Sequence, residues 1–274
     1  MSEPRETAYD QIRYRPSEIP HGYGANVHLL ADPYLLTQLA RLCAPECFPP
    51  EVNRLIATVY RDLIKVVVNA EFPHRRIEQK TRMAAHTPRG VYAGKVIDAT
   101  ARAVSVGIAR AGLLPAQVCF EALAGLLDPA GVRQDILVLS RETDRAGKVT
   151  GVAIGGSKIG GDKDGRFILI PDPMGATGAS VSTALSIYKG EVPGTAVKFI
   201  ILHLIVTPEY LWRLQSDHPD TVVYAIRLDR GLSSAAVLQS PFGRLWTEER
   251  GLNEQHYIVP GGGGFGEVLY NAEK

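Results

Sequence analysis

The sequence predicts an α/β protein built on a doubly wound parallel sheet, because short apolar runs alternate with helical segments. From about residue 104 onward the apolar runs are VSVGIA, DILVLS, RFILIPD, VKFIILHLIV and TVVYAIRLD. Short runs that are apolar throughout are typical of parallel strands buried on both faces. Helical patterns lie between them at 113–126, 177–189 and 208–216. In such a sheet, ligands bind beyond the carboxyl ends of the strands.

The first third of the chain has a different character. Residues 1–30 carry several prolines and glycines among charged residues, which predicts an irregular N-terminal arm. An Asp-Pro start signal then predicts a helix at 33–42, and apolar residues at helical spacing predict a second helix at 50–70. We therefore expect an arm at 1–30 followed by a single domain at 31–274.

Composition excludes several classes of protein. The 30 basic and 29 acidic residues give a net charge of +1, so no global field attracts nucleic acid or an anionic membrane. The three cysteines lack the density of a disulfide framework, and Cys43 and Cys47 have no second ligand pair nearby for zinc. The N-terminus lacks a signal peptide's apolar region, and the longest apolar run is too short to span a bilayer. These features predict a cytoplasmic protein.

The turn after the strand RFILIPD is the clearest candidate site. Small residues allow close approach of the backbone to an anion, and the free amides of a helix N-terminus favour negative charge. An acid directly before this anion site suits a ligand that carries hydroxyls beside a phosphate, such as ribose 5-phosphate. The turn consists of Asp172, Pro173, Met174, Gly175, Ala176, Thr177, Gly178, Ala179 and Ser180.

A simpler interpretation of this turn is a helix cap without a ligand. The chain has no Walker A motif, and its single Gly-x-Gly-x-x-Gly match, at 261–266, lies at the end of the chain with no βαβ unit after it. His203 lies within an apolar strand, where a core histidine with satisfied hydrogen bonds is a more common occurrence than a catalyst. No nucleophile–base pair stands out, so we do not expect covalent catalysis.

The motif Asp-Pro-Met-x-Ala-Thr-Gly-x-Ser at 172–180 resembles the phosphoribosyl pyrophosphate loop of the uracil phosphoribosyltransferases. VSVGIARAGLLPAQ resembles the family's Arg-Ala-Gly loop, LDRGL at 228–232 resembles the end of its penultimate strand, and NEQHYIVPG at 253–261 resembles its uracil-binding segment. The order and spacing of these motifs also fit. The resemblance implies a type I phosphoribosyltransferase fold, with a parallel core sheet, flanking helices and a small hood.

The resemblance also implies roles for residues outside the turn. The Arg-Ala-Gly loop would bind pyrophosphate, and the planar fork of an arginine suits phosphate oxygens; a surface arginine without a ligand is the alternative. The polar, glycine-rich stretch at 141–165 would form a lid with two further anion ligands, although plain solvent exposure is as good an interpretation for its lysine. These residues are Arg110, Ala111, Gly112, Arg141 and Lys158.

The base would be read by the segment at 257–263, largely through backbone amides and carbonyls. A fixed backbone edge that pairs with uracil rejects cytosine, because the amino group of cytosine would meet a donor. The alternative for Tyr257 is simple core filling. The segment includes Tyr257, Ile258, Val259, Pro260, Gly261 and Gly263.

Two departures from the family pattern follow this segment. Gly264 and Val268 stand where the family's tail has an acid and an arginine. In addition, Arg-Gly-Leu occurs at 230–232 and again at 250–252, so residues 233–252 look inserted. The insertion would be a lid, a dimer contact or a block to the pocket.

The implied reaction converts uracil and phosphoribosyl pyrophosphate to UMP and pyrophosphate in pyrimidine salvage. Asp172 and Arg110 would be the catalytic residues. Mg²⁺ would bridge oxygens of the substrate without direct ligands from protein side chains. The resemblance suggests a homodimer that binds neither nucleic acid nor membrane. Transfer to another base, or a nucleotide-sensing regulator with weak turnover, are the alternatives.

Overall fold

The structure is a computed structural model that describes residues 6–143 and 149–272, with side chains described outside 141–152. The strands are β1 (Val27–Leu29), β2 (His74–Lys80), β3 (Val91–Ile97), β4 (Arg102–Ala109), β5 (Val132–Thr143), β6 (Val149–Lys158), β7 (Arg166–Pro171), β8 (Met174–Gly175), β9 (Lys198–Val206) and β10 (Val222–Leu228). The helices are α1 (Pro33–Leu42), α2 (Glu51–Glu71), α3 (Leu113–Ala124), α4 (Ala179–Gly190), α5 (Pro208–Asp217), α6 (Ala235–Leu238) and α7 (Phe265–Val268).

Seven strands form the core sheet in the order β1-β10-β9-β7-β4-β5-β6, and the short β8 pairs with β9. All neighbours are parallel except β5 and β6. The predicted strands and the five predicted helices are confirmed, with ends that differ by a few residues. The prediction of an α/β protein with a mainly parallel sheet is therefore confirmed.

The core has two layers because each central strand is buried on both faces. Along β7, Phe167 and Leu169 pack on the side of α2 and α3, whereas Ile168 and Ile170 pack on the side of α4 and α5. Helix α2 presents a buried stripe at helical spacing, from Val52 to Val67. Burial of this much apolar surface on both faces is the main stabilising term of the fold.

Side-chain caps fix two helix starts, the first of which the sequence marks by its Asp-Pro start signal. The Asp32 carboxylate accepts a hydrogen bond from Leu35 N at 3.1 Å at the start of α1. The Thr207 hydroxyl accepts one from Tyr210 N at 3.0 Å at the start of α5. Each cap satisfies an amide that would otherwise lack a partner, and a proline at the first helical position follows each cap.

The structure corrects the predicted irregular character of the arm and of the 141–165 stretch. Within the arm, Val27–Leu29 form an edge strand parallel to β10. The stretch after Arg141 includes β6, which pairs with β5 in an antiparallel hairpin. The physical reason is the same in both places: the outer strand of a sheet offers unpaired backbone groups, and a neighbouring segment satisfies them. Residues 144–148 of the predicted lid lie outside the described residues.

A second hairpin, β2–β3, was not predicted. Its strands pair with each other in full register from His74↔Ile97 to Lys80↔Val91, apart from the core sheet. β2 is exposed along most of its length, so it lacks the apolar alternation that would have marked it as a strand. Among the described residues, no helix has both the length and the apolar character that crossing a bilayer requires.

Candidate active site

Three of the predicted motifs begin where parallel strands end. Ala109, the last residue of β4, precedes Arg110; Pro171, the last residue of β7, precedes Asp172; and β10 ends just before Asp229. The strand registers place these ends at the same edge of the sheet. The sheet thus brings the candidate phosphate turn and the Arg-Ala-Gly loop to one side of the molecule.

The turn at 172–180 is fixed by hydrogen bonds within the turn and by a hydrogen bond to the start of α5. Asp172 Oδ1 accepts from Met174 N at 3.1 Å, and the Thr207 hydroxyl donates to Ala176 O at 2.7 Å. Gly178 has φ +78°, which favours glycine, and a Cβ there would lie 3.3 Å from Arg213 Cδ. The turn therefore has a defined shape before any ligand binds.

The same turn presents free donors at the start of α4. Among the described residues, the amides of Thr177, Gly178 and Ser180 donate to no protein acceptor. The side chains of Thr177 and Ser180 are half-buried, so their hydroxyls lie at the surface of the turn. Amides at the start of a 12-residue helix, combined with its dipole, suit a phosphate group.

The Arg110 loop packs tightly against the end of β7. Gly112 N donates to Ile108 O at 2.9 Å, and a Cβ on Gly112 would lie 3.0 Å from Pro171 O. Only glycine fits this contact, which brings the Arg-Ala-Gly loop next to the phosphate turn. Arg110 itself is exposed, and its Nη2 lies 3.4 Å from Glu267 Oε1.

His203 supports the phosphate turn from the core. Its side chain is fully buried on β9, and its Nδ1 lies 2.5 Å from Asp172 O. Burial lowers the pKa of His203 to about 4, so the ring is neutral and Nδ1 is the donor. Nε2 has no hydrogen-bond partner among the described residues. The prediction of a core histidine is confirmed, but only Nδ1 is satisfied.

The predicted base-binding segment forms a turn whose backbone is partly engaged. Val259 N donates to Gly251 O at 2.8 Å, and Val259 O accepts from Gly231 N at 2.9 Å. Gly261 N donates to Asp229 Oδ2 at 2.8 Å, and Gly261 O accepts from Arg227 Nη2 at 2.9 Å. The backbone groups of Val259 and Gly261 are therefore occupied by the protein itself.

Other backbone groups of this turn are left open. Among the described residues, the amides of Ile258, Gly262 and Gly263 and the carbonyl of Pro260 have no protein partner. Two kinds of group are thus available, donors that suit the carbonyls of a pyrimidine and an acceptor that suits its ring N–H. Tyr257 is half-buried, and its amide donates to Asn253 Oδ1 at 2.8 Å.

One of the two further predicted anion ligands, Lys158, does not lie at this edge. Lys158 is exposed on β6 and pairs with Ile136, which in turn pairs with Gly107, two positions before the end of β4. It therefore lies on the outermost strand of the core sheet and not in a loop over the site. The side chain of Arg141 lies outside the described part of the structure.

The 233–252 segment packs on the N-terminal arm and α5. Glu249 is buried, accepts hydrogen bonds from Tyr23 Oη and Gly243 N, and pairs with Arg230 at 2.5 Å. Trp246 Nε1 donates to Pro208 O at 3.0 Å, and the Trp246 ring meets Trp212 edge to face at 5.3 Å. The segment is thus an ordered appendage fixed by a buried ion pair.

Comparison with known proteins identifies this arrangement. The family model for uracil phosphoribosyltransferase matches residues 29–243. The chain belongs to the uracil phosphoribosyltransferase family. The match includes the Arg110 loop and the phosphate turn, and it confirms the predicted type I phosphoribosyltransferase fold.

Individual relatives agree with the family match. The chain is 28% identical over 247 residues to the uracil phosphoribosyltransferase of Dictyoglomus thermophilum, and the aligned residues cover 90% of this chain and 100% of that protein. It is 27% identical over 250 residues to that of Variovorax paradoxus, covering 91% and 100%. The solved structure of the AQ2163 protein from Aquifex aeolicus has the same fold, with a TM-score of 0.64 and 19% identity over 89% of this chain and 97% of that one.

Sequence reasoning missed three residues at this site. Asp229 and Arg227 stand in or beside the LDRGL motif, where an Arg-x-Asp pair at a strand end was the available signal. Glu267 was seen only as part of the tail. Its contact with Arg110 joins residues 157 positions apart, and no local pattern predicts such a contact.

Proposed function

We propose that this chain catalyses the transfer of a 5-phosphoribosyl group from phosphoribosyl pyrophosphate to uracil, which gives UMP and pyrophosphate. The observation that carries the proposal is the meeting of the phosphate turn and the Arg110 loop at the carboxyl ends of β7 and β4. This arrangement suits a substrate with a phosphate at one end and a pyrophosphate at the other.

The 5-phosphate binds at the start of α4. The open amides of Thr177, Gly178 and Ser180 donate to its oxygens, and the hydroxyls of Thr177 and Ser180 add further donors. The Asp172 carboxylate, at the head of the same turn, accepts from the ribose hydroxyls. His203 and Met174 hold the backbone and one carboxylate oxygen of Asp172, so its position is fixed.

The pyrophosphate binds at the Arg110 loop. The Arg110 guanidinium neutralises the charge that develops on pyrophosphate as the C1′–O bond breaks. The family resemblance adds Ala111 and Gly112, whose backbone lines the loop, and suggests Arg141 as a second cation. The support for Lys158 is weaker, because it lies on the outermost strand of the sheet, level with a residue two positions before the end of β4.

Uracil is read by the open groups of the base turn. The amides of Ile258, Gly262 and Gly263 suit the two carbonyls of uracil, and the Pro260 carbonyl suits its N3–H. Cytosine presents an amino group in place of one carbonyl, and it would leave a donor of the turn unpaired beneath the bound base. In the reaction, uracil N1 forms the bond to C1′ and loses its proton, while the pair of electrons of the C1′–O bond leaves with pyrophosphate.

The residues present fit a magnesium ion that is held mainly by substrate. Mg²⁺ commonly binds through substrate phosphates and one or two carboxylates, and it keeps several waters. Asp172 is a half-buried carboxylate at the right edge, while the described residues contain no cluster of three or more metal-ligating side chains. When bound, Mg²⁺ would neutralise charge on pyrophosphate. The protein's part is to orient the sugar beneath the base and to support its positive charge in the transition state.

A homodimer in the cytoplasm completes the proposal. Ile136 and Val138 of β5 point away from the core and are 36% and 47% exposed. An apolar strip on an outer hairpin favours contact with a second copy of the chain. Sedimentation velocity of the wild type and of Val138→Lys tests this, and a wild type that sediments as a monomer at micromolar concentration would refute it.

The reaction is tested with purified protein, Mg²⁺, phosphoribosyl pyrophosphate and a panel of bases, followed by chromatography of the products. We expect UMP from uracil, in equal amount with pyrophosphate, and little product from cytosine or purines. Product from a different base would establish the alternative substrate. Tight UMP binding without product from any base would instead establish a nucleotide-sensing regulator.

A further inference from the structure

A buried ion pair lies directly behind the base turn. Arg227, on β10, and Asp229, just after the strand, lie two positions apart and thus on the same face. Arg227 Nε and Nη2 each lie 2.7 Å from one carboxylate oxygen of Asp229. The Asp229 side chain is only 2% exposed. A two-bond pair of this kind fixes both side chains in one geometry.

The pair holds Gly261 by both of its backbone groups. Asp229 accepts from Gly261 N at 2.8 Å, and Arg227 donates to Gly261 O at 2.9 Å. Gly261 has φ +63°, and a Cβ there would lie 2.2 Å from Ile258 O, so the turn is tight as well as tethered. Neither backbone group of Gly261 is left for a ligand.

Cys43 packs against the same turn and also interacts with Arg227. A Cβ on Gly262 would lie 2.7 Å from Cys43 Sγ, which shows how closely α1's C-terminal end approaches the backbone there. The base turn therefore contacts both the Arg227–Asp229 pair and Cys43. Its open groups, at Ile258, Pro260, Gly262 and Gly263, flank the one residue that the ion pair holds.

We infer that Arg227 and Asp229 are positioning residues for the base and set the affinity for it. The inference rests on the proposed function, because it takes the 257–263 turn as the base site. A backbone edge discriminates between bases only when its donors and acceptors are fixed in position. The ion pair acts on the base through Gly261 and touches neither phosphate nor pyrophosphate sites.

The first test is Asp229→Asn, which keeps the shape of the side chain but removes its charge and weakens the fork to Arg227. Charge-assisted hydrogen bonds contribute about 1.5–3 kcal/mol, so we expect the KM for uracil to rise about tenfold or more. The KM for phosphoribosyl pyrophosphate should change by less than about twofold, since the phosphate turn lies on other strands.

The chain offers a matched control in Asp135. Arg133 and Asp135 form the same Arg-x-Asp pair on β5, and fully buried Asp135 also accepts from a glycine amide, Gly160 N, at 2.9 Å. Asp135→Asn should lower the melting temperature at least as much, because it weakens a comparable pair whose carboxylate also accepts from Tyr188 Oη at 2.6 Å. It should leave the KM for uracil unchanged.

The two variants distinguish a role of Asp229 in positioning the base site from a role in folding stability alone. A rise in uracil KM in Asp229→Asn but not in Asp135→Asn supports the inference, whereas equal rises, or a loss of melting temperature alone, overturn it. If Asp229→Asn does not fold, Arg227→Lys keeps the charge but loses the fork, and it must show the same selective rise.

Failure of the proposed function is visible in the wild type. A wild type that makes no UMP refutes the proposed reaction, and the same variants are then compared by calorimetric titration with UMP. In that case Asp229→Asn must weaken UMP binding more than Asp135→Asn does. Equal affinities would overturn the positioning role.

Discussion

Glu267 pairs with Arg110, the residue proposed to bind pyrophosphate, at a distance of 3.4 Å between Oε1 and Nη2. The two side chains are 34% and 45% exposed. Pyrophosphate must therefore compete with a carboxylate of the protein for this guanidinium. Exposed ion pairs of this kind contribute little free energy, so a multiply charged ligand readily displaces Glu267 from Arg110.

Replacing Glu267 by Gln should lower the KM for phosphoribosyl pyrophosphate. An exposed ion pair is worth about 0.2–1 kcal/mol, which corresponds to a decrease of about 1.5- to 5-fold. Initial-rate kinetics at low and high salt measure the effect, which should shrink at high salt because screening weakens the competing pair. A KM that rises would mean that Glu267 assists the substrate instead.

Gly264→Asp should raise turnover with uracil, by restoring an acid where the family has one. Gly264 has φ −89°, so an aspartate there meets no backbone strain of the kind that a positive φ would impose. A Cβ there would lie 2.3 Å from Glu267 Oε2, the far end of a side chain, so the Glu267 carboxylate must shift from its present position near Arg110. Gly264→Ala displaces Glu267 without adding a charge and is the control. Equal kcat values in the two variants would contradict a role for the acid.

UMP should raise the melting temperature much more than uridine does. A ligand that binds only the native state stabilises it by mass action, and uridine lacks the phosphate that the open amides of Thr177, Gly178 and Ser180 would bind. Thermal shift assays at matched concentrations measure the difference. Equal shifts from the two ligands would refute the assignment of the phosphate turn.

Asp172→Asn should lower kcat by about two orders of magnitude or more while the protein stays folded, because it removes the charge that faces the ribose. Asparagine retains an oxygen that can accept from Met174 N, so the turn keeps its shape. Steady-state kinetics and circular dichroism of the same preparation test both parts. Wild-type kcat in this variant would exclude Asp172 from the site.

His203 should make the stability fall as the pH decreases from neutral. The native pKa is about 4 against a usual 6.5, so the unfolded state binds the proton first. The contribution of His203 to the free energy of unfolding is fully present above pH 6.5 and is lost as the pH falls toward 4. At pH 4.5 the loss is about 2–3 kcal/mol. His203→Asn, which keeps a donor toward Asp172, should lose less stability over this range in urea titrations. His74→Asn, at an exposed position, should behave like the wild type.

The sequence predicted the parts of the molecule that local patterns encode. Apolar runs marked the central strands, and the small residues at 175–180 marked the phosphate turn. β2 could not be found in this way, because it is exposed and stable only through its pairing with β3. The tethering of Gly261 by Arg227 and Asp229 was also hidden, because residues more than 30 positions apart meet only after the sheet forms.

The chain contains two tryptophans, and both belong to the contact between the 233–252 segment and α5. The intrinsic tryptophan fluorescence of the protein therefore reports on this contact alone. Trp212 is 55% exposed, so its emission depends on whether Trp246 stays against it. Detachment of this segment would change the emission spectrum while the far-ultraviolet dichroism of the core sheet remained constant. Undocking of the segment can thus be followed in the unlabelled wild-type protein.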